Sequence, residues 1–266
     1  MNRETPIHSR APARPDGAEM REQLARLREQ QEHLFAQLHA GEQHFKQLAR
    51  SVWRVQEDER RRLARELHDG IGQHLTALRH RLDVLARSEE IAAAGNGSLQ
   101  QALQLCDIAI QETRTLSRLL RPQILDDLGL EAALRWLARH TAEGTGCAIE
   151  VEVGALPGPV DSDLATLLFR VAQEGLANAQ KHAQASNIMV RLSHRADHLQ
   201  LLVVDDGRGC DTTAAFAKSS SGHSTGLASI RERVRLFGGQ FSLVSQPGEG
   251  LQLRVLLPFA ASGATP

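Results

Sequence analysis

A histidine and an aspartate stand side by side at His68 and Asp69, and a glutamine follows at Gln73. Imidazole has an ordinary pKa of about 6.5, so a neutral ring nitrogen is available as a nucleophile at cellular pH. A neighbouring carboxylate can take the proton from the other ring nitrogen. On a helix, Asp69 and Gln73 share a face about 100° round from His68, so the three side chains form one polar corner. The pattern indicates nucleophilic chemistry by an imidazole.

Gly70 and Gly72 lie within the same stretch. Each glycine inside a helix costs about 1 kcal/mol relative to alanine, so two within three residues require a reason. They predict a place where another protein surface approaches the backbone beside His68. Taken alone, His68 is also explained as a solvated histidine, one of 12 in the chain.

One helix from Glu57 to Leu85 must position this corner. Apolar residues recur along it every three or four positions and draw a stripe opposite the charges. They are Leu63, Leu67, Ile71, Leu75, Leu78, Leu82 and Leu85. Such a stripe requires a partner helix.

The string E-x-x-R-x-A-R-E-L-H-D-x-x-G-Q ends at Gln73 and resembles the phosphoacceptor box of two-component sensor histidine kinases of the NarL type. The resemblance implies that His68 is the phosphorylated residue and that Asp69 is the base that activates it. It also implies that Gln73 positions the water that dephosphorylates a partner regulator.

A heptad pattern precedes this helix, from Met20 to Val55. One heptad position holds Leu24, Leu38, Phe45 and Val52, with Gln31 as the polar exception, and the other holds Met20, Leu27, Leu34, Leu48 and Val55, with Gly41 as a gap. The pattern predicts a parallel dimeric coiled coil.

The heptad register changes just before His68. The old register puts Glu59 and Arg62 in the seam, whereas the next apolar residues are Leu63 and Leu67. A shift of four residues is a stutter. It predicts either a joint through which an input helix repositions the histidine, or a change of packing where two helices become four.

A second helix follows the turn residues Gly95, Asn96 and Gly97. Its seam holds Leu99, Leu103, Cys106, Ile110, Thr113, Ser117 and Leu120, and Pro122 ends it. Cys106 is therefore expected in a core. Because two antiparallel helices with one-sided apolar faces cannot bury those faces alone, we expect two chains to form a four-helix bundle.

A second set of polar residues lies on a helix predicted from Leu164 to Ala183. Glu174, Asn178 and His182 are four residues apart, and Lys181 is three beyond Asn178, which makes one polar stripe. Oxygen ligands suit Mg²⁺, and a lysine supplies a point charge for phosphate. The stripe fits a nucleotide site, and without its neighbours it also fits a solvated helix face.

Two glycine-rich segments come after this helix. In the first, Asp205, Gly207 and Gly209 directly follow a strand, where a carboxylate can accept from an adenine amino group. In the second, Gly222 and Gly226 precede a helix whose N-terminal amides can meet phosphate oxygens. Each string alone is often only a turn.

In this order, the three segments resemble the N, G1 and G2 boxes of the Bergerat ATP-binding fold of histidine kinases, Hsp90-like chaperones and gyrase. The resemblance implies that Asn178 binds Mg²⁺, that Glu174 and Lys181 line the phosphate side, with Glu174 as a catalytic residue, and that Asp205 holds adenine. The remaining implied ATP-binding residues are His182, Gly207, Gly209, Gly222, Gly226 and Leu227, and residues 211–223 are implied to be a flexible lid.

Two departures from the family pattern concern this lid. The G2 box usually reads G-x-G-L, but here His223, Ser224 and Thr225 separate the glycines. Leu251 follows Gly250 where the family usually has threonine. The departures affect the expected lid geometry and ATP affinity, not His68 or Asn178.

Composition limits the remaining choices. Lys and Arg total 31 against 32 Asp and Glu, a net charge of -1, which argues against direct nucleic acid binding. Aromatic residues make up 3% of a chain that is 41% hydrophobic, which favours helices over an all-β fold. The three cysteines form no C-x-x-C pair, so they predict neither disulfides nor a metal cluster.

The expected fold is multi-domain. It has a disordered tail over residues 1–17, a coiled-coil signalling helix over 18–56, a dimerisation and phosphotransfer hairpin over 57–125, an ATP-binding domain over 126–258 and a C-terminal tail over 259–266. In the ATP-binding domain, strands at residues 148–153, 188–192, 199–204, 240–244 and 251–257 alternate with helices after Asp161 and over 227–236. This predicts an α/β sandwich of the Bergerat type, an open mixed sheet covered by helices on one face.

Together these features predict ATP-dependent autophosphorylation on His68 and phosphotransfer to an aspartate of a response regulator, with phosphatase action as a further activity. Two alternatives stay open. One is a serine kinase with the same ATP-binding fold, and the other is a dimeric scaffold that binds nucleotide without turnover.

ATP and Mg²⁺ are the implied cofactors. A second copy of the chain and a DNA-binding response regulator of the NarL type are the implied partners. Because no export signal and no apolar run of about 18 residues is visible, we expect a cytoplasmic protein. Its input is expected from a separate sensor protein through the coiled coil, and that partner can be membrane-bound.

Overall fold

The computed structural model describes residues 17–87, 97–120, 123–211 and 226–259. The chain divides into two compact units, one up to Ala49 and the other from Arg50 onward. Helix α1, Gly17–Arg65, contributes residues to both. None of the helices in the described ranges is long and apolar enough to cross a bilayer.

In the first unit, the described residues all belong to α1, as the heptad pattern predicts for a helix. The apolar residues at the heptad positions are exposed in the single chain, for example Met20 at 44% and Phe45 at 67%. Coiled-coil pairing therefore stays a prediction. Gly17, which the sequence assigned to the tail, is the first helical residue, and residues 1–16 lie outside the described ranges.

The second unit begins with a helical hairpin. After α1 the chain winds as a π-helix over Glu66–Gly72, and α2 then spans Gln73–Ala86. Helix α3 spans Gly97–Leu120 and returns along them. The predicted second helix is confirmed, whereas Gly95 and Asn96 of the predicted turn lie outside the described residues.

Two side-chain contacts fix the antiparallel direction of the hairpin. Ser117 Oγ donates to the carbonyl oxygen of Ala64 at 2.7 Å, and Arg79 pairs with Asp107 at 2.6 Å. As residue numbers rise along the first arm, they fall along the second. The predicted seam residues Cys106, Ile110, Thr113 and Ser117 are the buried residues of α3, so the expectation of a core cysteine is confirmed.

The remaining elements form the domain for which the sequence predicts ATP binding, here called the ATP-binding domain. In chain order they are α4 Gln123–Asp127, α5 Gly129–Thr145, β1 Ala148–Val153, α6 Ser162–Asn178, β2 Asn187–Arg195, β3 His198–Asp205, α7 Gly226–Leu236, β4 Gln240–Ser245 and β5 Leu251–Pro258. A π-helical segment, Ala179–Ala183, extends α6. The sheet order is β1-β2-β3-β5-β4, with β1 parallel to β2 and the other pairs antiparallel. The predicted mixed sheet is confirmed.

One face of this sheet carries the core. Along β3 the buried apolar residues are Leu199, Leu201 and Val203, which alternate with half-buried residues on the other face. Helix α6 packs on the buried face, where a side chain added to Gly175 would contact Val203 at 3.3 Å. Asp161 caps α6 by accepting from the backbone N–H of Asp163 at 2.9 Å, as its position predicted.

Candidate functional site

The predicted phosphoacceptor residues lie on the exposed side of the hairpin. His68, Asp69 and Gln73 are all exposed. His68 and Asp69 belong to the π-helical segment, in which hydrogen bonds join residues five apart and the turn is wider than in an α-helix. Such segments occur frequently at functional sites. Among the described residues, no side-chain hydrogen bond links these three to one another.

The two glycines beside the histidine have different surroundings. A side chain added to Gly70 would meet open space, and one at Gly72 would make ordinary contact with the carbonyl oxygen of Leu67 at 3.5 Å. Packing within the single chain therefore does not require either glycine. A shallow groove beside Asp69 is lined by Arg62, Arg65, Glu66, Asp69 and Gly70, so this side of the helix is charged.

The predicted N and G2 segments meet at one point of the ATP-binding domain. Asn178 Nδ2 donates to Glu174 Oε1 at 3.0 Å across one turn of α6. Gly226, the first residue of α7, lies directly against the Glu174 carboxylate, which would have to move to admit a side chain there. The structure thus brings the polar stripe and the start of α7 together. Leu227 follows at the same place and is half-buried.

The G1 segment packs on the π-helical extension that follows Asn178 on the same helix. Asp205 ends β3 and is 6% exposed. Its Oδ1 accepts from the backbone N–H of Gly207 at 3.0 Å. Gly207 lies against the backbone of Ala183, where a side chain would overlap. Burial raises the pKa of the Asp205 carboxyl group.

The two adjacent aspartates of this segment have separate surroundings. Asp206 is exposed and accepts hydrogen bonds from the backbone N–H groups of Ser186 and Asn187 at 2.8 and 2.9 Å. Hydrogen bonds from Asn187 lower the pKa of the Asp206 carboxyl group. Asp206 fixes the turn before β2, which leaves Asp205 as the buried carboxylate.

Close backbone approach explains two further glycines. Gly209 has a φ of +62° and lies against the carbonyl of Gln246. Gly250 has a φ of +71° and lies against the carbonyl of Asp205. Positive φ strains other residues, and the contacts leave no room for a side chain. The β3 end and the β4–β5 turn are therefore tightly joined beneath Asp205.

The other predicted ATP-binding residues are less constrained. Lys181 and His182 lie in the π-helical extension of α6, and both are exposed. Gly222 and the three residues that separate it from Gly226 lie outside the described residues. Of the predicted lid, only Asp211 is described, and it is exposed.

A pocket of about 360 Å³ lies at the start of β1 and β2 and the end of β3, and Asp205 is one of its lining residues. Glu150, Met189 and Val204, which line it, are paired across β1, β2 and β3. Two buried residues, Ile188 and Asp205, also line it. It is separate from the Glu174 and Asn178 pair.

Two family models match the chain in the predicted order. The model described as histidine kinase matches residues 59–125. The model described as histidine kinase-, DNA gyrase B-, and HSP90-like ATPase matches residues 163–261.

Named relatives agree with both matches. The sensor histidine kinase MctS of Rhizobium johnstonii is 34% identical over 229 residues, which is 86% of this chain and 49% of that protein. The signal transduction histidine-protein kinase/phosphatase UhpB of Salmonella typhimurium is 34% identical over 216 residues, 79% of this chain and 41% of that protein. The chain belongs to the NarL-type sensor histidine kinases.

The chain spans at most about half the length of these relatives. A solved structure, the histidine kinase domain from the blue-light activated histidine kinase EL346 of Erythrobacter litoralis, is 22% identical. It covers 74% of this chain and 94% of its own, with a TM-score of 0.47.

In this histidine kinase, the departure at Leu251 lies next to the adenine carboxylate expected at Asp205. Leu251 pairs with Asp205 in the ladder between β3 and β5 and with Ser245 in the ladder between β4 and β5. Ser245 Oγ accepts from the backbone N–H of Cys210 at 2.8 Å and donates to the carbonyl oxygen of Gly250 at 2.6 Å. The nearest strand therefore supplies a hydroxyl that fixes the G1 loop, a role that sequence analysis missed.

Proposed function

We propose that this chain is the kinase part of a two-component system. It transfers the γ-phosphoryl group of MgATP to His68, and an aspartate of a response regulator then takes the group from His68. One observation carries the proposal: the chain has both an exposed histidine and a polar cluster that fits a nucleotide. The histidine is His68 on the hairpin. The cluster is formed by Glu174, Asn178 and Gly226 in the ATP-binding domain.

Each step of the transfer forms one bond to phosphorus and breaks another. A neutral ring nitrogen of His68 attacks the γ-phosphorus, and the bond from that phosphorus to the β–γ bridging oxygen breaks, so ADP leaves. Asp69 accepts the proton of the other ring nitrogen or holds it by a hydrogen bond. The regulator's aspartate then attacks the phosphorus, and the imidazole leaves in its neutral form.

Residues of α6 and β3 fit the nucleotide. Because Asn178 donates through its amide nitrogen to Glu174, its amide oxygen is directed away and suits Mg²⁺, which favours oxygen ligands. The ion, when bound, neutralises charge on the phosphates. Asp205 accepts from the adenine amino group, while Lys181 and His182 are exposed donors for phosphate.

The test is incorporation of label from γ-labelled ATP. We expect His68→Gln to abolish labelling and Asn178→Asp to reduce it at least about a hundredfold. His74→Gln is the matched control, because His74 is an exposed histidine on the following helix and keeps wild-type labelling. Wild-type labelling in His68→Gln would refute the assignment.

The product chemistry separates the alternatives. Phosphohistidine is acid-labile, whereas the product of a serine kinase is acid-stable. A scaffold that binds nucleotide without turnover incorporates no label at all. The exposed His68 beside Asp69 favours the first of these three outcomes.

We propose a homodimer with a four-helix bundle. Part of the hairpin stripe is exposed in the single chain: Leu63 at 39%, Ile71 at 50%, Leu78 at 47% and Leu85 at 49%. A second hairpin bound to these residues removes them from water. The exposed heptad positions of α1 support continuation of the dimer into a coiled coil.

The remaining proposals concern the roles of Gln73 and of the heptad helix. Gln73 is exposed next to the acceptor stretch and positions water for dephosphorylating the regulator. Residues 18–56 receive input from a separate sensor protein, and the whole assembly works in the cytoplasm. Recovery of a sensor partner on immobilised full-length chain, lost when residues 18–56 are replaced by an unrelated coiled coil, tests the input route.

A further inference from the structure

Helix α1 has a second packing face that the heptad analysis does not include. Arg50, Trp53, Arg54, Glu57 and Arg61 recur every three or four residues. All five contact the ATP-binding domain or the segment that leads into it. We call these five residues the back face of α1. The heptad residues beside them, Val52 and Val55, stay 53% and 68% exposed.

An aromatic anchor joins the back face to the end of α7. Trp53 is 4% exposed, and its ring lies edge-on to Phe237 with centroids 5.1 Å apart. Arg50 Nε donates to the carbonyl oxygen of Leu236 at 2.7 Å. The Arg50 guanidinium also lies 5.0 Å from the centre of the Phe237 ring. Helix α7 is therefore held to α1 at its C-terminal end.

A buried ion pair joins the back face to α6. Arg170 and Glu57 approach to 2.7 Å, and each side chain is 5% exposed. Arg170 also donates to the carbonyl oxygens of Leu119 and Leu120 at the end of α3. One guanidinium thus connects α1, α3 and α6. Removal of one partner of a buried ion pair is strongly destabilising, because it leaves an uncompensated buried charge.

Weaker contacts continue the same attachment. Arg54 pairs with Asp163 at the start of α6 at 2.6 Å. Arg61 pairs with Asp126 in α4. Gln173 Nε2 donates to the carbonyl oxygen of Leu119 at 3.0 Å. The exposed pairs contribute little energy each, so Trp53 and the Glu57–Arg170 pair dominate the attachment.

These contacts hold α6 and α7 at positions distant from the nucleotide site. Arg170 lies two turns before Asn178, about 12 Å at 1.5 Å per residue. Leu236 lies ten residues after Gly226, about 15 Å away along α7. A change at the back face therefore releases both helices together, at a distance from the residues proposed to bind the nucleotide.

In the same arrangement the His68 side chain is exposed to solvent. The Glu66–Gly72 segment packs on α2 and α3. Within the parts of the chain that the structure describes, no hydrogen bond or ion pair joins this segment to residues 163–211 or 226–259. Under the proposed function, His68 must meet the nucleotide and then the regulator's aspartate. A ring nitrogen admits one of them at a time.

We propose that the Glu57–Arg170 pair is a latch. Closed, it keeps the ATP-binding domain on the back face of α1 and leaves His68 accessible to the regulator. Opening of the pair frees the domain to bring the γ-phosphate to His68, and a shift of α1 relative to α6 is the event that opens it. This inference rests on the proposed function.

The first measurement reports the state of the latch. The chain has two tryptophans, so Trp136→Phe leaves Trp53 as the single indole, buried when the latch is closed. In that background we expect Glu57→Gln to shift the emission to longer wavelength and to increase acrylamide quenching about threefold or more, as the open population grows. Glu131→Gln is the matched control, because Glu131 forms an exposed pair with Arg135, and it leaves the emission unchanged.

The second measurement is the initial rate of His68 labelling at saturating ATP. We expect Glu57→Gln to raise it about threefold or more, with ATP affinity within about twofold of wild type. Arg170→Lys keeps the charge but loses the fork that reaches Glu57 and both carbonyls, so it gives a smaller increase. It also provides a second variant if one substitution fails to fold.

Unchanged or slower labelling in Glu57→Gln, with normal ATP affinity, overturns the latch. Faster labelling with the Trp53 indole still buried overturns it as well. If the wild-type chain incorporates no label on His68, the proposed function fails instead. The two failures are thus distinguishable.

Discussion

The hairpin and the ATP-binding domain bury their apolar residues to different extents. In the ATP-binding domain, Leu168, Phe169 and Leu201 have no exposed surface. In the hairpin, Ile71 and Leu78 are about half exposed in the single chain. Burial of apolar surface contributes roughly 25 cal/mol per Å², so the domain completes its own core and the hairpin requires a second chain.

The chemical groups follow the same division. His68 is exposed, which fits the proposal that the nucleotide and the regulator reach it in turn. Asp205 is buried at the end of β3, which fits the proposal that it recognises adenine by a fixed hydrogen bond. Substitutions of buried residues in the domain should therefore change folding and ATP affinity, whereas substitutions on the hairpin stripe should change assembly.

The largest expected effect is on the stability of the ATP-binding domain. We expect Phe169→Ala to lower its free energy of unfolding by about 3–5 kcal/mol, because a fully buried ring leaves a cavity. Urea unfolding followed by circular dichroism measures the change. Val244→Ala is the control in the same domain, since Val244 is 59% exposed and its loss should cost less than about 0.5 kcal/mol. A loss below about 1 kcal/mol for Phe169→Ala would contradict the comparison.

The hairpin should respond through its oligomeric state. We expect Leu78→Asp to weaken the dimer about a hundredfold, because it places a carboxylate in an apolar interface. Sedimentation at several concentrations measures the dissociation constant. His80→Asp is the control, since His80 is exposed about 200° round the helix from Leu78. Equal weakening by both substitutions would show that the stripe is not the interface.

Glycines in the two regions should also behave differently. We expect Gly207→Ala to lower ATP affinity about tenfold or more, because the added methyl group overlaps Ala183 and displaces the G1 loop. A methyl group at Gly70 meets open space in the single chain, so Gly70→Ala should leave ATP affinity unchanged. Fluorescent nucleotide titration compares them. If Gly70→Ala slows phosphotransfer to a regulator, the glycine serves a partner's approach.

Local patterns predicted most of the fold. The alternation of Ile149, Val151 and Val153 with polar residues gave β1 at its observed bounds. The side chain of Asp161 caps α6 where a helix start was expected. Both features depend only on residues a few positions apart in the chain, so they can be predicted from a single sequence.

Features that depend on distant contacts were missed. Arg170 stands in an apolar run and pairs with Glu57, 113 residues earlier, and no local pattern links them. A charge at a helix position surrounded by core residues was the available signal. Trp53 gave a second one, because a large apolar residue outside the heptad positions requires another surface.

Three segments form helical structure that the sequence analysis did not predict. The linker after the hairpin forms α4 and α5, in which Leu130, Leu134 and Leu137 are buried at three- and four-residue spacing. That periodicity was visible in the sequence. The π-helical turns at Glu66–Gly72 and Ala179–Ala183 were not, because a change from four- to five-residue hydrogen bonding leaves no composition signal.

The smallest expected effect separates the adjacent aspartates. The hydrogen bonds that Asp206 accepts lower its pKa from the ordinary 3.8, so its ionised form stabilises the folded chain. This contribution is present above about pH 3.8 and is lost as pH falls through the lower folded pKa. We therefore expect Asp206→Asn to reduce the melting temperature at neutral pH, with the difference shrinking below about pH 3.8. Thermal scans across this range, with nucleotide titration at neutral pH, measure both properties.

The pKa of Asp205 is shifted in the opposite direction from that of Asp206. Because burial raises its pKa, the folded state is favoured while the group is protonated, and that contribution is lost as pH rises through the raised pKa. Asp205→Asn should therefore not reduce stability at neutral pH, yet it should weaken ATP binding about tenfold by removing a charged acceptor. Asp206→Asn should leave ATP affinity unchanged. If Asp206→Asn weakened ATP binding as much as Asp205→Asn, the assignment of adenine recognition to the buried carboxylate would be wrong.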